Sequence, residues 1–155
     1  TVFSMSRAAF EAVELLHSEI EARGVSVEIT PDMPTVKADE TRIREVYQNL
    51  IENSVKFMGG QKEPKIRIGC RDTLEGPLFY VSDNGIGIEK QYHSKIFGLF
   101  DKLDKKSSGT GIGLSIVKRI IDVHNGTIRI ESEGNNEGTT FLFTVNTPVE
   151  RGEGL

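Results

Sequence analysis

Residues 45–57 read EVYQNLIENSVKF, and this stretch predicts the helix from which the other elements can be placed. At about 100° per residue, one face of that helix would carry Ile43, Val46, Tyr47, Leu50 and Ser54. Asn49, Asn53 and Lys56 fall within roughly 60° of one another beside this face. Asparagine is a mediocre helix former, so propensity does not explain two of them one turn apart. The pattern fits either an ordinary polar edge or a site with amide oxygens for magnesium and an ammonium for phosphate.

The segments before this helix predict another helix and a strand. Residues 4–23 have apolar side chains at three- and four-residue steps and stop at a glycine, with Phe10, Val13, Leu16 and Ile20 on the stripe. Residues 25–30 alternate as a half-buried strand should. Asp39 is the expected N-cap of the helix that contains 45–57, and that helix should end near Met58.

The remaining pattern predicts four strands, one helix and one long loop. The strands are expected at 65–72, 77–83, 127–132 and 139–145, and the helix at about 114–123. Residues 84–109 show little periodicity, and loops of that length tend to be functional or mobile. This order of elements predicts an α+β fold, a two-layer sandwich with helices on one face of a mixed sheet.

Composition narrows the class of protein. The chain has 155 residues, 37% of them apolar and 27% charged, which suits one globular domain. A net charge of −4 favours neither nucleic acid nor an anionic membrane as a partner. The single cysteine, Cys70, fits a reducing cytoplasmic setting, and we find neither a membrane span nor a signal peptide. Because Thr1 is not a methionine, we expect a module of a longer protein.

The stretch YVSDNGIGIEK, residues 80–90, places an aspartate at the end of an apolar strand. An ionised carboxylate only accepts hydrogen bonds, so Asp83 would favour the exocyclic amino group of adenine over the carbonyl of guanine. Asp-Asn-Gly is also a common plain turn, and the sequence alone leaves both interpretations open.

A second glycine-rich stretch, KKSSGTGIGLSIVKR at 105–119, runs directly into the last predicted helix. Unpaired N–H groups and the positive dipole end at a helix start favour an anion such as phosphate. The preceding residues are not a strand, which excludes the dinucleotide fingerprint, and the Gly-Lys-Ser/Thr ending of the P-loop is absent. A flexible turn before a helix is the alternative.

Taken in order, these stretches resemble the ATP-binding catalytic domain of sensor histidine kinases, in the superfamily of gyrase, the heat-shock chaperone ATPase, histidine kinases and the mismatch-repair ATPase. The matching motifs are NLIENSVKF for the N box, DNGIG and GTGIGLSIVK for the glycine boxes, IFGLF for the F box, and EGTTF for the last glycine-threonine element. The resemblance covers nearly the whole chain, 1–155, and implies a Bergerat-type ATP-binding fold with a lid at about 89–110.

The resemblance also implies roles for individual residues. Asn53 would bind Mg²⁺, Asp83 would hold the adenine amino group, and Asn49, Lys56 and Lys102 would be catalytic. The implied nucleotide-binding set is Asn49, Asn53, Lys56, Phe57, Asp83, Gly85, Gly87, Ile88, Lys102, Gly109, Thr110, Gly111, Ile112, Gly113, Leu114 and Thr139. Ser54 and Met58 depart from the family pattern, and neither departure removes a ligand.

The implied activity is transfer of the γ-phosphoryl group of Mg-ATP to a histidine on a phosphoacceptor domain of the same parent protein, with a response regulator downstream. ATP-hydrolysing relatives carry a water-activating glutamate where this chain has Asn49, which cannot accept a proton at neutral pH. The acceptor domain is missing from this chain, so isolated transfer activity is not expected. His17, His93 and His124 have ordinary structural explanations. The alternatives are a nucleotide-dependent docking module, a switch ATPase or an anti-sigma-type serine kinase. We expect a cytoplasmic location, including as the cytoplasmic part of a membrane-anchored sensor.

Overall fold

The computed structural model describes residues 1–97 and 113–146. Its helices are α1 (Met5–Leu15), α2 (His17–Ala22), α3 (Glu40–Lys56) and α4 (Gly113–Val123). Its strands are β1 (Val2–Ser4), β2 (Ser26–Ile29), β3 (Thr35–Lys37), β4 (Lys65–Thr73), β5 (Gly76–Asp83), β6 (Ile128–Glu131) and β7 (Thr139–Phe143). A 3₁₀ turn covers Lys90–Tyr92.

Five strands form one mixed sheet in the order β2-β4-β5-β7-β6. β2 runs parallel to β4, with Ser26 opposite Lys65, and every other neighbouring pair is antiparallel. A parallel pair needs a crossover connection, and α3 lies within the segment that joins β2 to β4. The α+β prediction with a mixed sheet is confirmed.

Helix α3 carries its predicted buried face into the core. All five residues expected on that face are buried: Ile43, Val46, Tyr47, Leu50 and Ser54. The Tyr47 ring packs edge-on against Phe143 of β7, with ring centroids 5.6 Å apart. The Asp39 side chain caps the helix by accepting from the Arg42 amide at 3.2 Å, as predicted. Since α1 and α4 both pack against α3, this helix sits between two others on the core side of the sheet.

The prediction of one helix over 4–23 is wrong in two respects. The segment forms two helices that meet at Leu16, whose φ of −104° and ψ of 15° are not helical. Phe10, assigned to the apolar stripe, is 56% exposed. The fully buried residues of α1 are Met5, Ala8, Ala9 and Ala12. Of the predicted stripe, Leu16 and Ile20 are buried, and Val13 packs partly buried against the core. The separation of packed helices depends on the side chains at their contact, and alanines let α1 lie close to α3.

A small second sheet was not predicted. β1 pairs antiparallel with β3, with Phe3 opposite Val36. Three-residue strands are too short to show the alternation by which strands are recognised in sequence. Across the described parts of the chain, no helix is both long and apolar enough to cross a membrane.

Candidate functional site

Asn49 of α3 faces the first residue of α4. Its Nδ2 donates to the Glu45 carbonyl one turn earlier, at 2.9 Å. Its Oδ1 lies toward α4, because a Cβ added to Gly113 would come within 3.1 Å of that oxygen. The absence of a side chain at Gly113 therefore lets the amide oxygen of Asn49 approach the helix start, where backbone N–H groups lack partners within the helix.

Asn53 and Lys56 follow Asn49 on the same edge of α3, and all three side chains are half-buried. The Lys56 ammonium lies 5.7 Å from the ring centroid of Phe57, a cation–π contact. The two amides and the ammonium thus occupy the edge that the periodicity predicted. The structure shows the lysine against Phe57, and its predicted phosphate contact stays a prediction.

Asp83 ends β5 and is held by its own turn. Its Oδ1 accepts from the Gly85 amide at 2.8 Å. Burial raises the pKa of the Asp83 carboxyl, while the Gly85 amide, the nearby Ser54 hydroxyl and the Thr139 amide act in the opposite direction. Thr139 is buried and lies opposite Asp83 in the β5–β7 register. The strand end therefore presents a fixed, half-buried carboxyl group.

Asn84 has a structural role in the Asp-Asn-Gly motif. Its Oδ1 accepts from the Lys65 amide at 2.8 Å, and its Nδ2 donates to the Glu63 carbonyl at 2.9 Å. Both bonds join the end of β5 to the start of β4. These bonds support the turn interpretation of Asp-Asn-Gly, and the adenine contact of Asp83 stays a prediction.

Gly85 and Gly87 of the first glycine box lie so close to neighbouring backbone atoms that a side chain would not fit. A Cβ on Gly85 would lie 2.5 Å from the Phe57 carbonyl oxygen at the end of α3. Gly87 has a φ of 80°, and a Cβ there would lie 2.9 Å from the Cα of Gly134. The side chain of Ile88, which follows, is buried in the core. The box is therefore wedged between α3 and the loop that joins β6 to β7.

That β6–β7 loop contains a residue the sequence did not reveal, Ser132. Its buried hydroxyl donates to the Gly138 carbonyl at 2.6 Å and accepts from the Ile88 amide at 2.8 Å. The Gly138 amide in turn donates to the Gly85 carbonyl at 3.0 Å. In ESEGNNEG a serine looks like part of an ordinary turn, and only its distant partner at Ile88 shows its role.

Two of the three histidines are fixed by backbone carbonyls. The His93 ring bonds the Ile88 carbonyl through Nε2 at 2.8 Å. The buried His124 ring bonds the Ile120 carbonyl through Nδ1 at 2.9 Å, and its Nε2 accepts from the Asp39 amide at 3.3 Å. His17 is exposed beside Glu21. His124 thus ties the end of α4 to the start of α3.

Part of the predicted site lies outside the described residues. This holds for Lys102, Gly109, Thr110, Gly111 and Ile112, and for the lid from residue 98 onward. Leu114 is described, and it lies half-buried in the first turn of α4. The described part brings together the polar edge of α3 (Asn49, Asn53 and Lys56), the first glycine box, Thr139 and the start of α4.

Comparisons with known proteins agree on one family. The model of the histidine kinase-, DNA gyrase B-, and HSP90-like ATPase family matches residues 38–149. The chain is 43% identical to the methanogenesis regulatory histidine kinase FilI of Methanothrix harundinacea (strain 6Ac), over 94% of this chain. The match spans only 16% of the length of FilI.

Solved structures give the same assignment. The nucleotide-free catalytic domain of histidine kinase ThkA is 30% identical, with a TM-score of 0.76 and coverage of 92% of each chain. Full-length ShkA in complex with AMPPNP is 25% identical, with a TM-score of 0.79 over 92% of this chain and 30% of that one. The chain therefore belongs to the histidine kinase-, DNA gyrase B- and HSP90-like ATPase family.

Proposed function

We propose that this chain binds Mg-ATP and transfers the γ-phosphoryl group to a histidine on a separate phosphoacceptor domain. The observation that carries the proposal is the approach of Asn49 Oδ1 to Gly113, which places the polar rim of α3 against the start of α4. Helix starts favour anions, and amide oxygens are hard ligands for a metal that accompanies phosphate.

The base would be read at the other end of the site. Asp83 is held by the Gly85 amide, and its ionised carboxylate can only accept hydrogen bonds. A 6-amino purine offers a donor there, whereas a 6-oxo purine offers an acceptor. The similarity to ShkA, which was solved with AMPPNP, supports an adenine nucleotide as the ligand.

The residues present fit Mg²⁺ bound together with a nucleotide. Asn53 would hold the ion through its side-chain oxygen, and it lies one turn from Asn49, which faces the start of α4. When bound, Mg²⁺ neutralises phosphate charge. Lys56, and Lys102 outside the described residues, would add positive charge. Asn49 cannot act as a base toward water, which favours transfer over hydrolysis.

The acceptor would be a histidine of another domain. His93 and His124 are engaged by backbone carbonyls, and His17 lies on the surface beside Glu21. In the transfer, an imidazole nitrogen forms a bond to the γ-phosphorus. The bond between the γ-phosphorus and the oxygen that bridges it to the β-phosphate breaks, and ADP leaves. The acceptor domain would belong to the same parent protein, in the cytoplasm, and a response regulator would receive the group next.

The test combines the chain, the separately produced phosphoacceptor domain of its parent protein and ATP labelled at the γ-phosphate. We expect acid-labile label on the acceptor, and its loss in Asp83→Ala. Asp72→Ala, which removes an exposed aspartate of the same sheet, is the matched control and should transfer normally.

Three results would contradict the proposal. Transfer that persists unchanged in Asp83→Ala would remove the base-binding role. Steady ATP turnover without an acceptor would favour a switch ATPase. ATP binding without transfer to any acceptor would favour a docking module.

A further inference from the structure

The buried ring of His124 joins the end of α4 to the start of α3. Its Nδ1 donates to the Ile120 carbonyl at 2.9 Å, and its Nε2 accepts from the Asp39 amide at 3.3 Å. A carbonyl can only accept and an amide N–H can only donate, so the two bonds require a neutral ring with its hydrogen on Nδ1. The first bond sets the orientation of the ring, and the second uses Nε2 as an acceptor for α3.

The first turn of α3 does not offer the Asp39 amide the usual acceptor. Asp39 is the N-cap of α3, and in a capping box a Glu or Gln three residues later accepts from the amide of the N-cap. That position holds Arg42, whose guanidinium carries donors only. His124 therefore supplies, from α4, the acceptor that the sequence of α3 lacks.

The helices α3 and α4 run antiparallel, and two contacts between them are matched in spacing. Asp39 meets His124 at one end, and Asn49 approaches Gly113 at the other. At about 1.5 Å per residue, the contact residues are about 15 Å apart along α3 and about 16.5 Å apart along α4. Fixing the first contact therefore sets the axial position at which the second is made.

The apolar packing between the two helices is less restrictive along their axes. Helix α4 packs against α3 and buries Val117, Ile120 and Ile121. The hydrophobic effect is non-directional and scales with the apolar area removed from water. A hydrogen bond depends on both distance and angle, and one at 3.3 Å tolerates little further separation. The His124 bond thus adds an axial restraint to the apolar contact.

We infer that His124 is a positioning residue for the phosphate end of the site: its bond to the Asp39 amide holds α4 at the axial position that places Gly113 beside Asn49. The backbone N–H groups at the start of α4 would be the donors to phosphate. These donors are directional, so a shift of about 1 Å in their position would weaken their bonds to a phosphate group. This inference rests on the proposed binding of ATP.

The experiment compares ATP, which would use both ends of the site, with adenosine, which lacks phosphates. Titration calorimetry gives the dissociation constants of Mg-ATP and adenosine for the unmodified chain, His124→Leu and His124→Gln. Leucine fills the space without an acceptor, and it should lower the affinity for ATP about three- to tenfold relative to that for adenosine. The amide oxygen of glutamine can replace Nε2 as acceptor, so His124→Gln should retain most of the preference. A change that only lowered stability would reduce both affinities by the same factor.

Thr144→Val is the matched control. The Thr144 hydroxyl accepts from the Thr127 amide at 2.9 Å, a bond that joins the segments after α4 and β7 and does not involve α3. This change should lower stability and leave the ratio of the two affinities unchanged. An unchanged ratio in His124→Leu would overturn the inference, as would an equal loss in His124→Gln or in Thr144→Val. If the unmodified chain bound neither ligand, the proposed function itself would fail, which is a distinct result.

Discussion

The two ends of the proposed site are built by different means. At the base end, hydrogen bonds join the Asp83 turn to the end of α3 and to the β6–β7 loop, through Ile86 to Phe57 and through Gly138 to Gly85. At the phosphate end, the described contact is the packing of Gly113 against Asn49. The base end is therefore fixed by the fold itself, whereas the phosphate end depends on how α4 lies against α3.

The largest effect is expected where the base end is tightest, at Gly85. In Gly85→Ala, the new Cβ would meet the backbone carbonyl of Phe57, which cannot move aside as a side chain would. We expect a loss of about 2–4 kcal/mol in the free energy of unfolding, measured by urea denaturation, and loss of ATP binding. Gly60→Ala has open space at its Cβ and should change stability little. Equal effects of the two changes would contradict the packing seen at Gly85.

Asp83→Asn separates binding from folding at the same end. Burial raises the pKa of Asp83, so the folded state holds its proton more tightly than the unfolded state. Stability from this group is greatest below the unfolded pKa and declines as pH rises through the folded one. At pH 7 the neutral asparagine should therefore not lower the free energy of unfolding.

The same variant should bind ATP about 10- to 100-fold more weakly, because a hydrogen bond to a charged acceptor is lost. Calorimetry at pH 7 measures the affinity, and urea denaturation at pH 4 and 7 measures the stability. A marked loss of stability at pH 7, at unchanged ATP affinity, would assign Asp83 to the fold instead of the ligand.

Ser132→Ala tests the hydrogen bonds by which the Ser132 hydroxyl joins the β6–β7 loop to the first glycine box. The change removes the donor to the Gly138 carbonyl and leaves the Ile88 amide without its acceptor. We expect a loss of about 1–3 kcal/mol in unfolding free energy. Ser26→Ala, at an exposed strand position, should stay within about 0.5 kcal/mol of the unmodified chain. If Ser132→Ala and Ser26→Ala changed the unfolding free energy equally, the Ser132 hydrogen bonds would contribute nothing to stability.

The sequence predicted the local features of the site better than its long-range contacts. Periodicity located the buried face of α3, and glycines marked both boxes, because these features are local. The structural roles of Ser132 and Asn84 were not predicted, since their hydrogen-bond partners lie 44 and 19 residues away in the sequence. Phe10 was wrongly placed on the buried stripe because alanines, which carry a weak periodic signal, make up most of the buried face of α1. Long-range hydrogen bonds and the packing of small residues leave little periodic signal in the sequence, so these features of the fold were not predicted.

Gly113→Ala gives the smallest expected change in stability and so isolates the phosphate end. Alanine favours the helix more than glycine does, by up to about 1 kcal/mol. Among the described residues, its Cβ would come nearest to the Asn49 Oδ1, at 3.1 Å, an atom at the end of a side chain that can shift. The two effects should leave unfolding free energy within about 0.5 kcal/mol of the unmodified chain.

ATP affinity in Gly113→Ala should nevertheless fall about three- to tenfold, because the displaced Asn49 oxygen and the new methyl group occupy the approach to the helix start. Adenosine, which lacks phosphates, should bind the variant and the unmodified chain equally, as calorimetry would show. If adenosine binding weakened as much as ATP binding, the change would have reached the base end, and the two ends would not be independent. Equal adenosine binding with weaker ATP binding would place the phosphates at the start of α4 and leave the base end, held by its own hydrogen bonds, unaffected.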